Sequence, residues 1–347
     1  MSNTPIPTGT DPGPIPVTLI VPCLNEERFI ENCLLSLLSG DYPTDLIEIL
    51  VLDGQSTDCT RAILGRICQE FHQVRVIDNP GGSKPQALNT GIAEAKHSIV
   101  MRIDAHAIYP SNYISELVRC LHVYEADNVG GVRLNRTLGK GAVALALAAI
   151  LTHPFGVGDA KHYTGSAEPI QSDILFLFCA HKNLFAEVGN FDERLIRGQD
   201  REFNLRMTRL GKKMVLCPSV TCTYYTREKI SEFARWSYQS GRAPYDISAI
   251  MDECLISWRN LVPLSFVTAL SIGPVLSIFI PSAFTLTILV LSTYMTAAIV
   301  ATLGIRSEFP SWRARILMPF AFLLWHSAYG IGSLVGLSRW LKIERGS

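Results

Sequence analysis

The sequence predicts an α/β protein in which a mostly parallel sheet is flanked by helices and is followed by a C-terminal transmembrane helical region. Three observations support this class. Strand-like and helix-like segments alternate over residues 17–233, polar residues follow three of the strand-like segments, and two long stretches after residue 260 carry almost no charge. Strands that alternate with helices favour a parallel sheet with helices on both faces. A chain of 347 residues has room for one large domain and such an appendage.

The first two strand–helix units follow from residue spacing. The first strand-like run covers residues 17–21 and the second covers residues 47–52. Asn25 is a plausible cap for the helix after the first strand, and Asp58 can cap the next helix. Apolar residues then recur at helical spacing, which predicts two helices. They are Phe29, Cys33, Leu34, Leu37 and Leu38 in the first helix, and Ile63, Ile67 and Phe71 in the second.

The following segments continue the alternation. A strand is predicted near residues 74–77, a turn at residues 79–82, a helix at residues 85–95, and a fourth strand that ends just before Asp104. Since strands and helices alternate throughout, we expect the carboxyl ends of these strands to lie at one edge of the sheet.

Polar residues stand where three of these strands end. Asp104 and His106 follow the fourth strand, and residues 22–27 and 53–58 follow the first two strands. Open α/β sheets bind their ligands at the carboxyl ends of their strands. Because carboxylate and imidazole groups both bind metal ions, Asp104 and His106 are candidate metal ligands at this edge.

A dinucleotide-binding oxidoreductase would share this alternation of strands and helices. Its Gly-x-Gly-x-x-Gly sequence would follow the first strand, because a diphosphate needs close approach of the backbone at a helix amino end. Residues 22–27 read Pro-Cys-Leu-Asn-Glu-Glu and contain no glycine. The sequence therefore argues against a nicotinamide or flavin enzyme.

Charge and cysteine content narrow the class further. The chain has 31 basic and 31 acidic residues, so nucleic acid is not an expected partner. Its cysteines form no Cys-x-x-Cys pair, which is typical of reduced residues in a cytoplasmic compartment. Residues 1–16 are rich in Pro, Thr and Gly and lack the apolar segment of a signal peptide, so we expect a disordered lead-in.

The uncharged stretches predict transmembrane helices at about residues 261–280, 282–305 and 316–337, followed by a tail at residues 338–347. The first two helices would form a hairpin that leaves the basic residues between 306 and 315 in the cytoplasm, as the positive-inside tendency requires. A third crossing would place the basic C-terminal end outside, against that tendency. We favour three crossings because of the uncharged length of the third segment. The alternatives are a re-entrant third segment, or a first pair that dips without crossing.

Several motifs resemble those of the family 2 glycosyltransferases, which have the GT-A fold. They are Val-x-Pro-x-Leu-Asn-Glu at 21–27, Leu-Asp-Gly-Gln-Ser-Thr-Asp at 52–58, Gly-Ser-Lys-Pro-Gln-Ala-Leu-Asn-Thr-Gly at 82–91, an Asp-x-Asp-like element at Asp104, Gly-Asn-Phe-Asp-Glu at 189–193 and Gly-Gln-Asp-Arg-Glu-Phe-Asn-Leu at 198–205. Asp-Ala-His-Ala at 104–107, with residues 235–236 and 241–243, is most similar to the succinoglycan-type exopolysaccharide glucosyltransferases. The resemblance covers residues 17–215 and implies a GT-A domain over residues 17–233.

The resemblance implies a nucleotide site at the sheet edge. It assigns Asp53 to the uracil of a UDP-sugar, where the carboxylate would accept the N–H of the base; a turn residue is the alternative. Pro22 and Asn25 would shape the pocket through their backbone. Glu26 would lie in this pocket or serve as an acid in the first turn of a helix. Lys84 is either a diphosphate contact or a solvated lysine at a helix start.

The resemblance also implies a divalent metal ion at Asp104 and His106. Transfer from a nucleotide diphosphate releases an anionic leaving group, and a metal ion that bridges the phosphates neutralises its charge. Oxygen ligands alone favour Mg²⁺, whereas an added imidazole favours Mn²⁺. Members of the family commonly carry a second Asp where His106 stands, so the identity of the metal stays open. His106 could instead hydrogen-bond a phosphate.

Asp200 is the expected general base. An inverting transfer requires the acceptor hydroxyl to lose its proton as it attacks the anomeric carbon, and a carboxylate opposite the leaving diphosphate can take that proton. Gln199 stands where the family motif has Glu, on the acceptor side. Asp200 also suits a helix N-cap, because apolar residues at helical spacing follow it.

Residues 234–260 have the composition of an interfacial amphipathic segment. Arg235, Trp236 and Arg242 combine cations with an aromatic ring shortly before the first predicted membrane helix, as expected at headgroup depth. The apolar segment of residues 141–158 is too short to span and is expected to be a buried or interfacial helix.

These features predict a membrane-anchored inverting glycosyltransferase of the bacterial inner membrane, with a cytoplasmic catalytic domain. The resemblance implies transfer of a hexose, with glucose favoured, from a UDP-sugar to a polyprenyl-diphosphate-linked saccharide, with other exopolysaccharide-assembly proteins as further partners. The alternatives are a processive polysaccharide synthase and a polyprenyl-phosphate glycosyltransferase. A membrane-bound nucleotide-sugar sensor or scaffold is the alternative outside enzymes.

Overall fold

The chain divides into two compact units, and the computed structural model describes residues 10–158, 160–195, 197–305 and 311–344 of it. The first unit consists of Met1–Leu134 and Lys161–Tyr224, and the second of Asn135–Ala160 and Tyr225–Ser347. Residues 1–9 of the predicted lead-in and residues 306–310 of the predicted cytoplasmic loop lie outside the described residues.

A nine-stranded sheet lies at the centre of the first unit, as far as the chain is described. Its strands are β1 (Val17–Cys23), β2 (Ile47–Asp53), β3 (Val74–Asp78), β4 (Ile99–Arg102), β5 (Ala107–Ile108), β6 (Asn128–Arg136), β7 (Ile170–Gln171), β8 (Cys179–His181) and β9 (Met214–Tyr225). They lie in the order β3-β2-β1-β4-β8-β6-β9-β5, and β7 pairs with β9.

The helices connect these strands and then form the C-terminal part of the chain. They are α1 (Ile30–Leu38), α2 (Thr60–Glu70), α3 (Lys84–Glu94), α4 (Tyr113–Val123), α5 (Ala142–Ile150), α6 (Pro154–Val157), α7 (Lys161–Thr164), α8 (Leu184–Val188), α9 (Gln199–Arg209), α10 (Ile230–Met251), α11 (Trp258–Leu276), α12 (Pro281–Gly304) and α13 (Trp312–Glu344). A short 3₁₀ turn, Thr44–Leu46, precedes β2.

The α/β class is confirmed, but the sheet is mixed rather than mostly parallel. β1 pairs in parallel with β2 and β4, and β2 pairs in parallel with β3. β8 runs antiparallel to β4 and β6, and β9 runs antiparallel to β5 and β7. A parallel neighbour requires a crossover of a dozen or more residues. On its other side β4 has β8 as an antiparallel neighbour, and β5 lies at the far end of the sheet beside β9.

Alternating side chains of the strands enter two apolar clusters on the two faces of the sheet. Leu19 and Ile49 belong to one cluster, which includes residues of α1, α2 and α4. Ile20 and Leu50 belong to the other, which includes residues of α3 and α9. Since β1 and β2 are covered on both faces, the polar residues after them lie at the sheet edge rather than on a face.

The helix starts near this edge differ from the predicted caps. α1 begins at Ile30, and Asn25 does not cap it. Asn25 instead has φ 54°, and its side chain accepts a hydrogen bond from the Thr57 backbone N–H, in the loop after β2, at 2.8 Å. Asp58 lies one residue before the Cys59 cap of α2 and accepts from the Thr60 N–H at 3.0 Å.

The second unit is built around α13. Ser237 of α10 donates a hydrogen bond to the Trp325 carbonyl at 2.6 Å. The two helices approach closely at Gly241, where a Cβ atom would lie 2.0 Å from the Tyr329 carbonyl oxygen. The apolar segment 141–158 forms α5 and α6, and residues 146–151 are buried, as expected for a buried helix.

Among the described residues of the second unit, three helices are long and apolar enough to cross a membrane. They cover Trp258–Leu276, Pro281–Gly304 and Trp312–Lys342, with mean hydropathies of 1.3, 1.9 and 1.4. Their positions agree with the three segments predicted from the sequence. Between α11 and α12 the chain carries exposed apolar side chains, including Ile278 and Phe279 at 76% and 78% exposure, which suits contact with lipid.

Candidate active site

The site is built where β1, β2 and β4 end. The parallel register places Cys23 of β1 opposite Asp53 of β2, and Asp53 opposite Asp78 of β3. Asp104 follows β4, the other neighbour of β1. The edge predicted from the sequence therefore does bring Asp53 and Asp104 to the same side of the sheet, where open α/β sheets bind their ligands.

Asp53 is completely buried and its carboxylate is well supplied with donors. Ser56 donates from its hydroxyl at 2.6 Å, and Arg61 of α2 donates from Nε at 2.6 Å. Arg61 also pairs with Asp78 at the end of β3. Asp53 is therefore more than a turn residue, because it ties the loop after β2 to α2.

The loop after β1 is tied to the loop after β2 by reciprocal hydrogen bonds. Asn25 donates from its backbone N–H to the Ser56 hydroxyl at 2.8 Å, and Glu26 donates likewise to the Thr60 hydroxyl at 2.8 Å. Pro22, half-buried within β1, lies opposite Leu52 in the register. These contacts join the two loops, and a role of Pro22 and Asn25 in a nucleotide pocket stays a prediction.

A buried ionic cluster forms around Asp104. Lys84, the first residue of α3, donates from Nζ to Asp104 Oδ1 at 2.7 Å, and Arg102 of β4 donates from Nε to the same oxygen at 3.1 Å. Lys84 is thus not a freely solvated lysine. Burial opposes ionisation of Asp104, but the charges of Arg102 and Lys84 outweigh it and hold the pKa of this carboxyl well below its usual range.

The same cluster lowers the pKa of Lys84. Burial removes water from the ammonium group, and the nearby Arg102 charge disfavours it further, while Asp104 and Asp200 oppose the shift. Keeping the Lys84 ammonium charged at this edge therefore costs free energy. An anion bound beside Lys84 would relieve that cost.

Arg102 joins Asp104 to Asp200. The guanidinium is 1% exposed, and its Nη1 donates to Asp200 Oδ1, while its Nε donates to Asp104. Asp200 is in the first turn of α9, where the helix dipole favours a carboxylate, and the N-cap is Gly198. The N-cap interpretation of Asp200 is therefore wrong, because the left-handed Gly198 ends the preceding loop. Gln199 lies beside it and is buried.

His106 uses both ring nitrogens within the protein. Nδ1 hydrogen-bonds to Glu26 Oε1 at 2.8 Å, and Nε2 hydrogen-bonds to the Tyr224 hydroxyl at 2.6 Å. Glu26 is thus a partner of His106 rather than a first-turn acid. Ligation of a metal ion by His106 requires one of these two hydrogen bonds to open, and it stays a prediction.

Asp104 Oδ2 provides one observation that fits a metal ion. This buried oxygen has no hydrogen-bond partner among the described residues, although Oδ1 has two. A buried carboxylate oxygen without a partner suits Mg²⁺ or Mn²⁺, which can be held by one or two carboxylates together with substrate phosphates. The described residues contain no group of three or more His, Cys, Asp or Glu side chains placed to hold a metal by themselves.

The predicted interfacial residues lie in α10, in the second unit. Trp236 is buried against Phe233 and Trp325, with ring centroids 5.6 and 4.9 Å away, and is a core residue of that unit. Arg235 is exposed, and Arg242 pairs with Asp246 at 2.7 Å. Of the three, Arg235 is the residue that remains open to an outside partner.

The sequence reasoning missed Arg102, Arg61 and Tyr224. Arg102 could have been found, because it is the charged residue within an otherwise apolar strand run that leads into Asp104. A charge in a strand that is covered on both faces needs a partner, and that partner marks a site. Arg61 and Tyr224 gave no such signal, since both stand in ordinary amphipathic segments.

Comparisons with known proteins find a family model and several relatives. The model of the family "Glycosyl transferase family 2" matches residues 18–182. Succinoglycan biosynthesis protein ExoA of Rhizobium meliloti is 29% identical over 75% of this chain and 78% of its own length. A dolichyl N-acetylglucosaminyl phosphate diacetamidodideoxyglucuronosyltransferase of Methanococcus voltae is 24% identical over 92% of this chain and 97% of its own.

Solved structures share the fold. Mannosyltransferase PcManGT from Pyrobaculum calidifontis, determined with GDP-Man and Mn²⁺, aligns with 96% of this chain and 91% of its own at a TM-score of 0.58 and 19% identity. Residues 1–349 of TarS from S. aureus align with 94% of this chain and 92% of their own at a TM-score of 0.50 and 14% identity. At these identities the likeness concerns the fold.

The family model and the names of the relatives support a glycosyltransferase, and its sheet edge carries Asp53, Lys84 and Asp104. The motifs that contain Asp53, Lys84 and Asp104 lie within the segment that the family model covers, whereas Asp200 lies beyond it. Residues 18–182 match the family 2 glycosyltransferases, and the relatives support a glycosyltransferase of this kind.

Proposed function

We propose that the protein transfers a hexose, with glucose favoured, from a UDP-sugar to a polyprenyl-diphosphate-linked saccharide in exopolysaccharide or lipid-linked glycan synthesis. The observation that carries this proposal is the Arg102 bridge, which holds Asp104 at the donor edge and Asp200 in one buried cluster. The names of the relatives from R. meliloti and M. voltae support the class of product, since one refers to succinoglycan and the other to a lipid-linked sugar.

On the donor side, Asp53 and the loops after β1 and β2 would bind the nucleotide, and Lys84 would bind the diphosphate. Lys84 already lies 2.7 Å from Asp104, so a diphosphate at this edge can exchange one anionic partner of Lys84 for another. As the bond from the anomeric carbon to the phosphate oxygen breaks, both electrons stay with UDP. The ammonium of Lys84 then stabilises the charge that develops on the leaving group.

A divalent ion, Mn²⁺ or Mg²⁺, would be held by Asp104 Oδ2, with His106 as a further ligand once it leaves Glu26 or Tyr224. Such an ion supplies charge neutralisation of the diphosphate when it is bound. Its ligands would otherwise come from the phosphates and water, because the described residues offer few further oxygens.

On the acceptor side, Asp200 would take the proton of the attacking hydroxyl. Arg102 donates to Oδ1, and among the described residues Oδ2 accepts no hydrogen bond, so Oδ2 is available for the acceptor. The side chain is 26% exposed, which allows a substrate to reach it. Arg102 therefore positions the base without occupying both of its oxygens, as an inverting attack from the face opposite UDP requires.

Location follows from the apolar helices. We propose that α11, α12 and α13 anchor the chain in the bacterial inner membrane and that the first unit is cytoplasmic, where UDP-sugars are available. Three helices with the length and composition of membrane spans support the anchor. A lipid-linked acceptor suits an enzyme that is held at this surface.

Release of UDP from a panel of UDP-sugars, and of GDP from GDP-sugars, tests the proposal. Full-length protein in detergent is given Mn²⁺ or Mg²⁺, with and without a polyprenyl-diphosphate-linked saccharide. We expect release from a UDP-hexose that depends on the acceptor and adds one sugar. A sensor would bind the UDP-sugar without cleaving it. A processive synthase would add many sugars, and a polyprenyl-phosphate glycosyltransferase would use polyprenyl phosphate itself as the acceptor. Any of these three results contradicts the proposal.

A further inference from the structure

Arg133 is a buried arginine in β6 that is surrounded by aromatic rings. Its guanidinium carbon lies 4.1 Å from the centroid of the Tyr163 ring, 4.6 Å from that of Phe176 and 4.2 Å from that of Tyr224. The residue is 3% exposed. We call this group of Arg133 and its three rings the arginine cage. Each ring face attracts a cation, and three of them together explain how a guanidinium can be held here.

The guanidinium lacks the partners that buried arginines normally have. Nε and Nη2 are both buried, and neither has a hydrogen-bond partner among the described residues. Ring faces interact with the charge but accept no hydrogen bond in the plane of the guanidinium. A buried cation that keeps unused donors is costly, whereas a carboxylate or phosphate can engage two of those donors at once.

The arginine cage adjoins the catalytic cluster through two of its rings. The Phe176 ring also lies 5.4 Å from the guanidinium carbon of Arg102, which contacts Asp200. The Tyr224 hydroxyl hydrogen-bonds to His106. The cage therefore shares one ring with Arg102, which contacts the proposed base, and both connections lie within the first unit.

The outer wall of the cage is formed by α7. His162 and Tyr163 are half-exposed, in contrast to Arg133, and His162 stacks on Phe176 with ring centroids 6.1 Å apart. Burial and the Arg133 charge lower the pKa of His162 to about 3, so the imidazole is neutral at physiological pH. Arg133 is thus the cation of this cage, and its Tyr163 and Phe176 rings are partly exposed.

We propose that the arginine cage is an anion subsite that binds a phosphate group of the lipid-linked acceptor. This rests on the proposed function. The donor diphosphate already has Lys84 at the β1–β4 edge, whereas Arg133 lies beside the residue that contacts Asp200. A phosphate held by Nε and Nη2 would fix the lipid end of the acceptor, so that the sugar hydroxyl lies towards Asp200 Oδ2.

The test uses binding of farnesyl diphosphate, a soluble polyprenyl diphosphate, to the full-length protein in detergent. Farnesol, which lacks the phosphates, and UDP serve as comparison ligands. The variants are Arg133→Met, which keeps much of the volume and removes the charge, and Arg133→Lys, which keeps the charge and removes the paired donors. Arg119→Met is the matched control, because it removes an arginine that pairs with Glu116 on α4.

We expect Arg133→Met to weaken farnesyl diphosphate binding at least about tenfold, the usual effect of losing a charge-assisted contact, while binding of UDP and farnesol is unchanged. Arg133→Lys should show a smaller loss of the same kind, and it decides the question if Arg133→Met does not fold. The control should bind all three ligands like the wild type.

Two outcomes overturn the subsite. Unchanged farnesyl diphosphate binding in both variants, or in Arg133→Lys alone where Arg133→Met does not fold, would make Arg133 a structural cation. A selective loss of UDP binding would assign the cage to the donor. The result is separate from the proposed function: a protein that binds farnesyl diphosphate through Arg133 but transfers no hexose would disprove the reaction and keep the subsite. A protein that transfers hexose and binds farnesyl diphosphate equally well without Arg133 would support the reaction and disprove the subsite.

Discussion

Arg102 and Asp200 are 98 residues apart in the sequence, and the Arg102 guanidinium donates a hydrogen bond to the Asp200 carboxylate. The same guanidinium contacts Asp104, which follows β4 at the donor edge. The proposed donor and acceptor sides are therefore joined through one buried side chain. This relationship places the proposed base and makes its role testable.

The first prediction concerns the base. Asp200→Asn keeps the shape of the side chain and an oxygen for Arg102, but it cannot take a proton. We expect kcat to fall by about 10² to 10⁴, with the Kd for UDP unchanged, because a general base acts in the transition state. Single-turnover transfer and UDP titration measure the two effects. Glu116→Gln, on α4, is the control, and near-normal turnover of Asp200→Asn with saturating acceptor would refute the assignment.

The second prediction separates the two acidic partners of Arg61. Asp53→Ala should raise the Kd for UDP by about 10- to 100-fold, the effect of losing a charge-assisted hydrogen bond and the loop that depends on it. Asp78 is the other partner of Arg61, and its side chain is 72% exposed. Asp78→Ala should therefore change the Kd for UDP little. Equal effects of the two substitutions would show that Arg61, and not Asp53, carries the nucleotide interaction.

The third prediction is an alkaline limit set by Lys84. Because the pKa of Lys84 is lowered, the ammonium loses its proton as the pH rises, before an ordinary lysine near pKa 10.4 would. Donor kcat/KM should therefore fall on the alkaline side. Lys84→Arg should move this limit to higher pH, since a guanidinium stays charged. Lys96→Arg is the matched control, and an identical alkaline limit in Lys84→Arg would assign it to another group.

Asp104 should add no acid limit in the same profile. The pKa of its carboxyl is held well below its usual range, so it stays ionised until the pH is below about 4, the ordinary range for Asp. A lowered pKa also means that Asp104 stabilises the fold above that range and loses this contribution as the pH falls through the folded-state pKa.

The fourth prediction concerns His106 and the metal ion. If His106 is a ligand, His106→Asp should shift the preference from Mn²⁺ towards Mg²⁺, because an oxygen replaces an imidazole. Activity with each ion after removal of metal by a chelator measures this preference. Tyr224→Phe is the control, since it removes a hydrogen bond of His106 without adding a ligand. Unchanged preference in His106→Asp would leave His106 as a group that orients Glu26.

The fifth prediction concerns the third apolar helix. Three full crossings, favoured by the sequence, place residue 347 outside the cytoplasm. In the second unit, however, α10 packs along the C-terminal half of α13, where a Cβ on Gly332 would lie 3.2 Å from the Arg242 backbone nitrogen. The Arg242–Asp246 ion pair therefore lies beside that half of α13. Because an ion pair at hydrocarbon depth is costly, this packing favours the alternative in which α13 does not cross completely.

We therefore expect a reporter fused after Ser347 to be on the cytoplasmic side in active enzyme. A second fusion within the short connection between α11 and α12 should report the opposite side and is the control for a crossing hairpin. A non-cytoplasmic signal after Ser347, from enzyme that still transfers sugar, would establish three crossings instead.

The order of strands and helices up to Asp104 could be read from the sequence because its causes are local. Side chains alternate along β1 and β2, and apolar residues recur along α1 at helical spacing, so the pattern itself records each element. The position of Asp53 and Asp104 at one edge then follows from the parallel order. The three apolar helices are likewise evident from composition and length.

Other features depended on contacts between distant segments, which no local pattern records. Asn25 has the composition of a helix cap, but its side chain accepts from Thr57 across the sheet edge. β8 adds antiparallel to β4 after a connection of more than seventy residues, so its partner could not be inferred from spacing. The sequence determined which residues stand at strand ends. Only the tertiary structure decided that Arg102 joins Asp104 to Asp200 and that three aromatic rings enclose Arg133, because burial of a charge is set by the whole surrounding fold.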